Sequence, residues 1–91
     1  MRPKELKIGD LVKSTNGRDI AKYYVVYAEN EKGYFILIDG KVKTQKNPKT
    51  KNSKHLEYVT HFDDIEQKIK DKKMYDFEIT TALNQFKKSL K

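Results

Sequence analysis

The chain has 91 residues, 36% of them apolar and 36% charged, and its 20 Lys and Arg against 13 Asp and Glu leave a formal net charge of +7. A chain this short buries only about 60–65% of its unfolded surface, which allows one compact domain and little superstructure around an active site. The absence of Cys excludes disulfide staples and thiolate chemistry. No uncharged, mainly apolar run exceeds about six residues, too short to cross a bilayer, and the cationic excess points to an anionic partner, nucleic acid ahead of a membrane surface.

In chain order, Leu11–Thr15 is a short strand entered through Gly9-Asp10, and Asn16-Gly17 after it is a tight turn, since both residues tolerate positive φ. Tyr23–Ala28 is rich in aromatic and β-branched residues and predicts a strand. Glu29–Gly33 is a polar turn. Tyr34–Ile38 is almost continuously apolar, the pattern of a strand buried on both faces. Asp39-Gly40 is a hairpin turn leading into a fourth strand at Val42–Gln45, which Asn47-Pro48 ends. His55–Thr60 alternates and predicts the last strand. Short strands joined by tight turns leave no room for crossover helices, so an antiparallel SH3-like barrel is expected over 1–62.

The period changes over 63–91. Asp63 is placed to cap a helix carrying Ile65 and Ile69, and Asp76 to cap a second helix whose Ile79, Leu83, Phe86 and Leu90 form an apolar stripe. The expected fold is therefore mainly β with α, a small barrel of about five strands with a helical extension packed on it.

Charge divides unevenly between these parts. Residues 1–54 hold 13 Lys and Arg against 6 acids, whereas 55–91 hold 7 against 7. Within Lys41–Lys54, six lysines (Lys41, Lys43, Lys46, Lys49, Lys51 and Lys54) have no acid among them. A lysine run is either a solvated loop or a phosphate-binding one; the missing acids and the neighbouring β-structure favour the second. Tyr23, Tyr24, Tyr27 and Tyr34 fit either a core or a stacking platform for unpaired bases, and the adjacent Tyr23 and Tyr24 must leave opposite faces of their strand.

Enzyme signatures are missing: there is neither a phosphate-cradling GxxxxGK[ST] loop nor a GxSxG elbow, and Asp63-Asp64 is explained by a helix start. His55 and His61, even with Asp63 or Asp64, make a poor metal set. No cofactor, resident metal, small-molecule substrate or membrane anchor is expected. Met1–Leu6 lacks the apolar stretch of a secretory signal, so the cytoplasm is the expected compartment.

The segment Gly9-Asp10-Leu11-Val12-Lys13-Ser14-Thr15-Asn16-Gly17-Arg18-Asp19 resembles the opening of a KOW motif, a strand–loop–strand unit of ribosomal proteins and transcription elongation factors. With Asp39-Gly40-Lys41 and Asn47-Pro48-Lys49-Thr50-Lys51-Asn52-Ser53-Lys54-His55-Leu56 following in order, the chain is similar over about residues 8–60 to small bacterial KOW-domain RNA-binding proteins. These in turn resemble KOW-bearing large-subunit ribosomal proteins of archaea and eukaryotes. One position departs: Ala21 stands where that family usually has a Gly able to take positive φ.

The resemblance implies a non-catalytic RNA-binding protein, associated with the ribosome and contacting structured ribosomal RNA. It assigns contact to the Ser14–Arg18 loop and to Lys49–His55, hence to Ser14, Asn16, Arg18, Lys49, Lys51, Asn52, Lys54 and His55. Lys13, Lys41, Lys43 and Lys46 complete the expected cationic surface. The alternative is an interaction module whose Ile79–Leu90 helix docks on a ribosomal or transcription protein, because barrels of this kind serve both partners.

Overall fold

The computed structural model describes residues 6–30 and 33–90. Five antiparallel strands, β1 (Asp10–Ser14), β2 (Tyr23–Glu29), β3 (Tyr34–Ile38), β4 (Lys49–Asn52) and β5 (Leu56–His61), form one sheet in the order β4-β3-β2-β1-β5. Two helices follow, α1 (Asp63–Lys70) and α2 (Asp76–Ser89). β4 and β5 lie at opposite edges of the sheet, yet only the single 3-10 turn Ser53–His55 joins them. Four strand spacings of about 4.8 Å cannot be crossed flat by one such turn. The sheet therefore curls, and the result is a small SH3-like barrel.

The curl gives the sheet two apolar faces. Inside lie Leu6, Val12, Tyr24, Val26, Phe35, Leu37 and Leu56. Outside, Leu11, Val25 and Ile38 pack against Ile65 of α1, Met74 of the interhelical segment, and Ile79 and Leu83 of α2. Alternate residues of one strand thus serve two cores, which is why Tyr23–Ala28 and Tyr34–Ile38 read as continuous apolar runs. Tyr23 and Tyr24 do leave opposite faces: Tyr24 is buried within the barrel, while Tyr23 is half-buried with its ring edge-on to Phe86 at 5.4 Å. Leu90, the last position of the predicted stripe, is exposed.

Three local expectations are corrected. Val42–Gln45 is not a strand. Asp39 folds the chain back on itself there, its Oδ1 accepting from the backbone N–H groups of Lys41, Val42 and Lys43 at 2.9–3.0 Å. Val42 stays 67% exposed, so pairing it would bury nothing. The fourth strand lies instead at Lys49–Asn52, within the expected loop, with Phe35 opposite Lys51 and Leu37 opposite Lys49. Pro48 immediately precedes that edge strand, a position where its missing N–H costs no ladder bond. Finally, Asp63 and Asp76 are first helical residues rather than caps. Tyr75 takes the cap position of α2, its N–H donating to Glu78 at 2.9 Å, and the Asp76 carboxylate accepts from the Gln45 N–H at 3.0 Å. Of the predicted Glu29–Gly33 turn, Glu31 and Lys32 lie outside the described residues, as do Met1–Glu5 of the leader reading.

The helices are held to the sheet by polar contacts as well. His61, at the end of β5, bonds the buried Asp10 through Nδ1 at 2.6 Å and Glu66 of α1 through Nε2 at 2.7 Å. Burial works against the imidazolium, but hydrogen bonds to Asp10 and Glu66 outweigh it and raise the His61 pKa, despite the opposing charge of Lys7. Glu66, drawn down to about 2 by Lys70 and His61, stays ionised throughout the neutral range. A raised histidine pKa contributes stability that is complete below the unfolded value, 6.5, and lost as pH rises through the folded one. Chemical denaturation between about pH 6 and 9 should therefore show stability falling with pH, and His61→Gln should flatten that fall. A slope unchanged in the variant would remove His61 as its source.

Among the described residues no helix is long and apolar enough to cross a membrane.

Candidate nucleic-acid interface

The loop between β1 and β2 starts at Thr15 and folds onto the β4 side of the barrel. Asn16 and Gly17 form the predicted turn, with Gly17 at φ 86° and its N–H donating to Asn16 Oδ1 at 2.7 Å. The loop re-enters the sheet through Ala21, which adopts φ 72°. Its N–H donates to the Ser14 carbonyl at 2.8 Å, closing the loop. A β-carbon in that conformation costs about 1–2 kcal/mol. The place where the family resemblance calls for a glycine is therefore one of positive φ, and this chain holds it with an alanine.

Beneath the loop sits Asp19, 7% exposed. Its carboxylate accepts from Ser14 Oγ at 2.9 Å, Tyr24 Oη at 3.0 Å and Lys51 Nζ at 3.0 Å, with Lys49 Nζ at 3.6 Å. Burial alone would raise the Asp19 pKa. The bonds from Lys51, Ser14 and Tyr24 and the charge of Lys49 overcome it and hold the carboxyl well below the usual carboxylate range. The same contact, added to burial, pushes the Tyr24 phenol above its ordinary value. Asp19 thus plugs one end of the barrel and ties β1, β2 and β4 to the loop.

Around this plug the structure brings together the two segments expected to meet RNA. Asn16 Nδ2 lies 3.2 Å from His55 Nδ1, and Lys51 Nζ donates to the Asn16 carbonyl at 3.0 Å, contacts spanning 39 and 35 residues. Thr15 N–H donates to the His55 carbonyl at 2.9 Å, and Asn52 Oδ1 caps the 3-10 turn by accepting from Lys54 N–H at 3.0 Å. Arg18 and Lys54 are exposed, and neither forms an ion pair among the described residues. Asn16, Arg18, Lys49, Asn52, Lys54 and His55 therefore share one end of the molecule.

The remaining expected residues are placed differently. Ser14 is 1% exposed with its hydroxyl turned to Asp19, so it positions the loop and presents nothing to a partner. Lys51, with a side chain 12% exposed, is mostly committed to Asp19. Lys13 lies on the opposite face of β1, its ammonium 5.9 Å from the Tyr23 ring centroid. Lys41, Lys43 and Lys46 belong to the Asp39–Pro48 loop, which is pinned to the start of α2: Gln45 Nε2 donates to the Met74 carbonyl at 2.9 Å, and Tyr27 Oη donates to Gln45 Oε1 at 3.1 Å. The acid-free stretch is thus two separate cationic groups in space.

Sequence reasoning missed Asp19 as the hub. The signal was indirect: six lysines without an acid must find any counter-charge elsewhere, and Asp19 follows the very turn they pack on. Among the described residues, metal ligation has one geometric candidate. His61, Asp63 and Glu66 each offer one atom within 4.8 Å of the others. His55, paired with Asn16, takes no part, and Lys70 Nζ stands 2.7 Å from Glu66. An imidazolium between carboxylates accounts for this arrangement without a metal ion. No protein-family model matches the chain, and no curated protein matches it either.

Proposed function

We propose that the protein is a non-catalytic, cytoplasmic RNA-binding protein of KOW type that associates with the ribosome and holds structured ribosomal RNA on the Asn16–His55 end of the barrel. One observation carries the reading. Two segments far apart in sequence converge there to present Arg18, Lys49 and Lys54 beside the amides of Asn16 and Asn52 and the His55 ring, while the acid at their centre faces inward. Arg18 offers a guanidinium fork for a phosphate or a base, and the lysines act as point charges. Asparagine amides and the imidazole supply hydrogen bonds for sugars or base edges.

Electrostatic binding of this kind weakens with salt. With Arg18 and Lys54 both replaced by Ala, two phosphate contacts go, and the slope of log K against log salt should become shallower by about 1.4 on the single-strand coefficient. Fluorescence anisotropy with labelled ribosomal RNA fragments measures it. Salt-independent binding, or unchanged affinity in the double variant, would sink the reading.

A protein-docking role through the Ile79–Leu90 stripe is weakened because Leu83 is buried and Phe86 half-buried against the barrel. What favours a protein partner instead is Tyr75 stacked on Phe77, 5.7 Å between centroids and each residue 66% exposed.

A further inference from the structure

A second cationic feature lies away from the Asn16–His55 end. Where the β1–β2 loop rejoins the sheet, an open groove of about 380 Å³ runs between that loop, the Asp39–Lys41 turn and α2. Lys22, Lys41 and Lys87 line it, one from each of three elements distant in sequence, over a floor that includes Tyr23 and Leu83. None of the three lysines pairs with a carboxylate among the described residues. Asp39, the one acid in the lining, has an oxygen occupied by three backbone N–H groups. The α2 C-terminus explains one lysine, Lys87, through the helix dipole. Lys22 and Lys41 have no such reason to face it. Three lysines against the single Asp39 carboxylate leave the groove with an excess of positive charge that an entering anion would offset.

The chain itself connects this groove to the proposed interface, since Arg18 and Lys22 belong to the same loop, Arg18 near its middle and Lys22 where it rejoins the sheet. We infer that the groove is a second RNA contact. It takes backbone phosphates of the strand that leaves the Asn16–His55 end on Lys22, Lys41 and Lys87, with the Asn84 amide available to a sugar or base. The inference rests on the RNA-binding reading above and extends it to a surface assigned neither by the KOW resemblance nor, apart from Lys41, by the charge pattern.

The test uses the full chain and single-stranded RNAs of about 4 and about 16 nucleotides, the range one small barrel covers. Lys22→Gln, Lys41→Gln and Lys87→Gln are combined; all three positions are exposed, and circular dichroism checks the fold. A control combines Lys72→Gln, Lys73→Gln and Lys88→Gln, which removes the same charge outside the groove. The groove variant should bind the longer RNA roughly 100-fold more weakly at about 0.1 M salt, with a slope shallower by about 2, because three phosphate contacts are lost. The short RNA should be affected far less. If the native chain binds RNA with a salt-dependent slope and the Arg18 and Lys54 variant loses affinity, while the groove variant matches the native chain or the control, the groove is no RNA contact. If the native chain binds the labelled ribosomal RNA fragments but neither of these strands at any salt, the groove inference fails alone; if it binds none of them, the RNA-binding reading fails and this inference fails with it.

Discussion

Asp19→Ala is expected to destabilise the domain by about 3 kcal/mol or more, the range for removing one partner of a buried ion pair. The loss has identifiable parts. Lys51, 12% exposed, keeps a single acceptor, the Asn16 carbonyl. The Tyr24 phenol loses its buried acceptor, worth about 1–3 kcal/mol when left unmet, whereas the Ser14 hydroxyl still has the Asn16 carbonyl at 3.1 Å. Some of this is recovered as Lys49, already 30% exposed, swings out to water. At about 4–8 °C per kcal/mol for a domain of this size, Tm should fall by more than about 12 °C. Tyr24→Phe, which removes one hydroxyl and leaves the carboxylate bonded, should cost only about 1 kcal/mol.

The same carboxylate sets an acid limit. Its depressed pKa contributes stability present above the unfolded value, 3.8, and lost as pH falls below it. The native chain should therefore lose stability on acidification below about pH 4 more steeply than Asp19→Ala. On the RNA-binding proposal, affinity for RNA should drop too, since Asp19 holds the loop that presents Asn16 and Arg18. A thermal melt of Asp19→Ala within a few degrees of the native chain would mean that Asp19 is not the hub of this end.

The strands were legible where a segment serves two cores. Tyr34–Ile38 and Tyr23–Ala28 carry apolar residues on both faces, and their predicted bounds fall within one residue of those observed. The fourth strand was not, because β4 carries no apolar side chain at all: Lys49, Thr50, Lys51 and Asn52 pair through their backbones at an edge. Its lysines are fixed by a carboxylate 30 or more residues earlier, a tertiary fact that no local pattern records. Val42–Gln45 had the alternation but lacked a face to bury, and three bonds to the Asp39 side chain decided its course. The cationic surface was partly legible in the same way. Composition located the lysines, while the division into a barrel-end group and an α2 group depended on Asp19 and Gln45, each polar and silent in any hydropathy pattern. Lys22 and Lys87 stood outside the dense run and had nothing local to single them out.

Gly40 tests the other junction, between the barrel and α2. It sits at φ 81°, and a β-carbon there would meet the Asp76 carbonyl oxygen at 2.3 Å, Thr80 Oγ1 at 2.6 Å and Thr80 N at 2.9 Å. Thr80 can turn its hydroxyl aside, but the two backbone atoms belong to the first turns of α2. Moving them means lifting Ile79 and Leu83, fully and nearly fully buried, from Leu11, Val25 and Ile38. Gly40→Ala should therefore combine a left-handed backbone penalty of about 1–2 kcal/mol with an overpacking cost of about 1–3 kcal/mol. Gly17 supplies the comparison. It has a similar φ, 86°, but its nearest neighbours would be side-chain atoms at 3.5 Å, so Gly17→Ala should show the backbone penalty alone. The difference in unfolding free energy between the two variants, measured in urea, isolates the close approach of α2 to the Asp39–Lys41 turn. Amide exchange should show where that energy acts: α2 amides open faster in Gly40→Ala and keep their protection in Gly17→Ala. Equal losses in the two variants would mean that α2 can shift without cost. The groove framed by Lys22, Lys41 and Lys87 would then lack the fixed wall its lysines require.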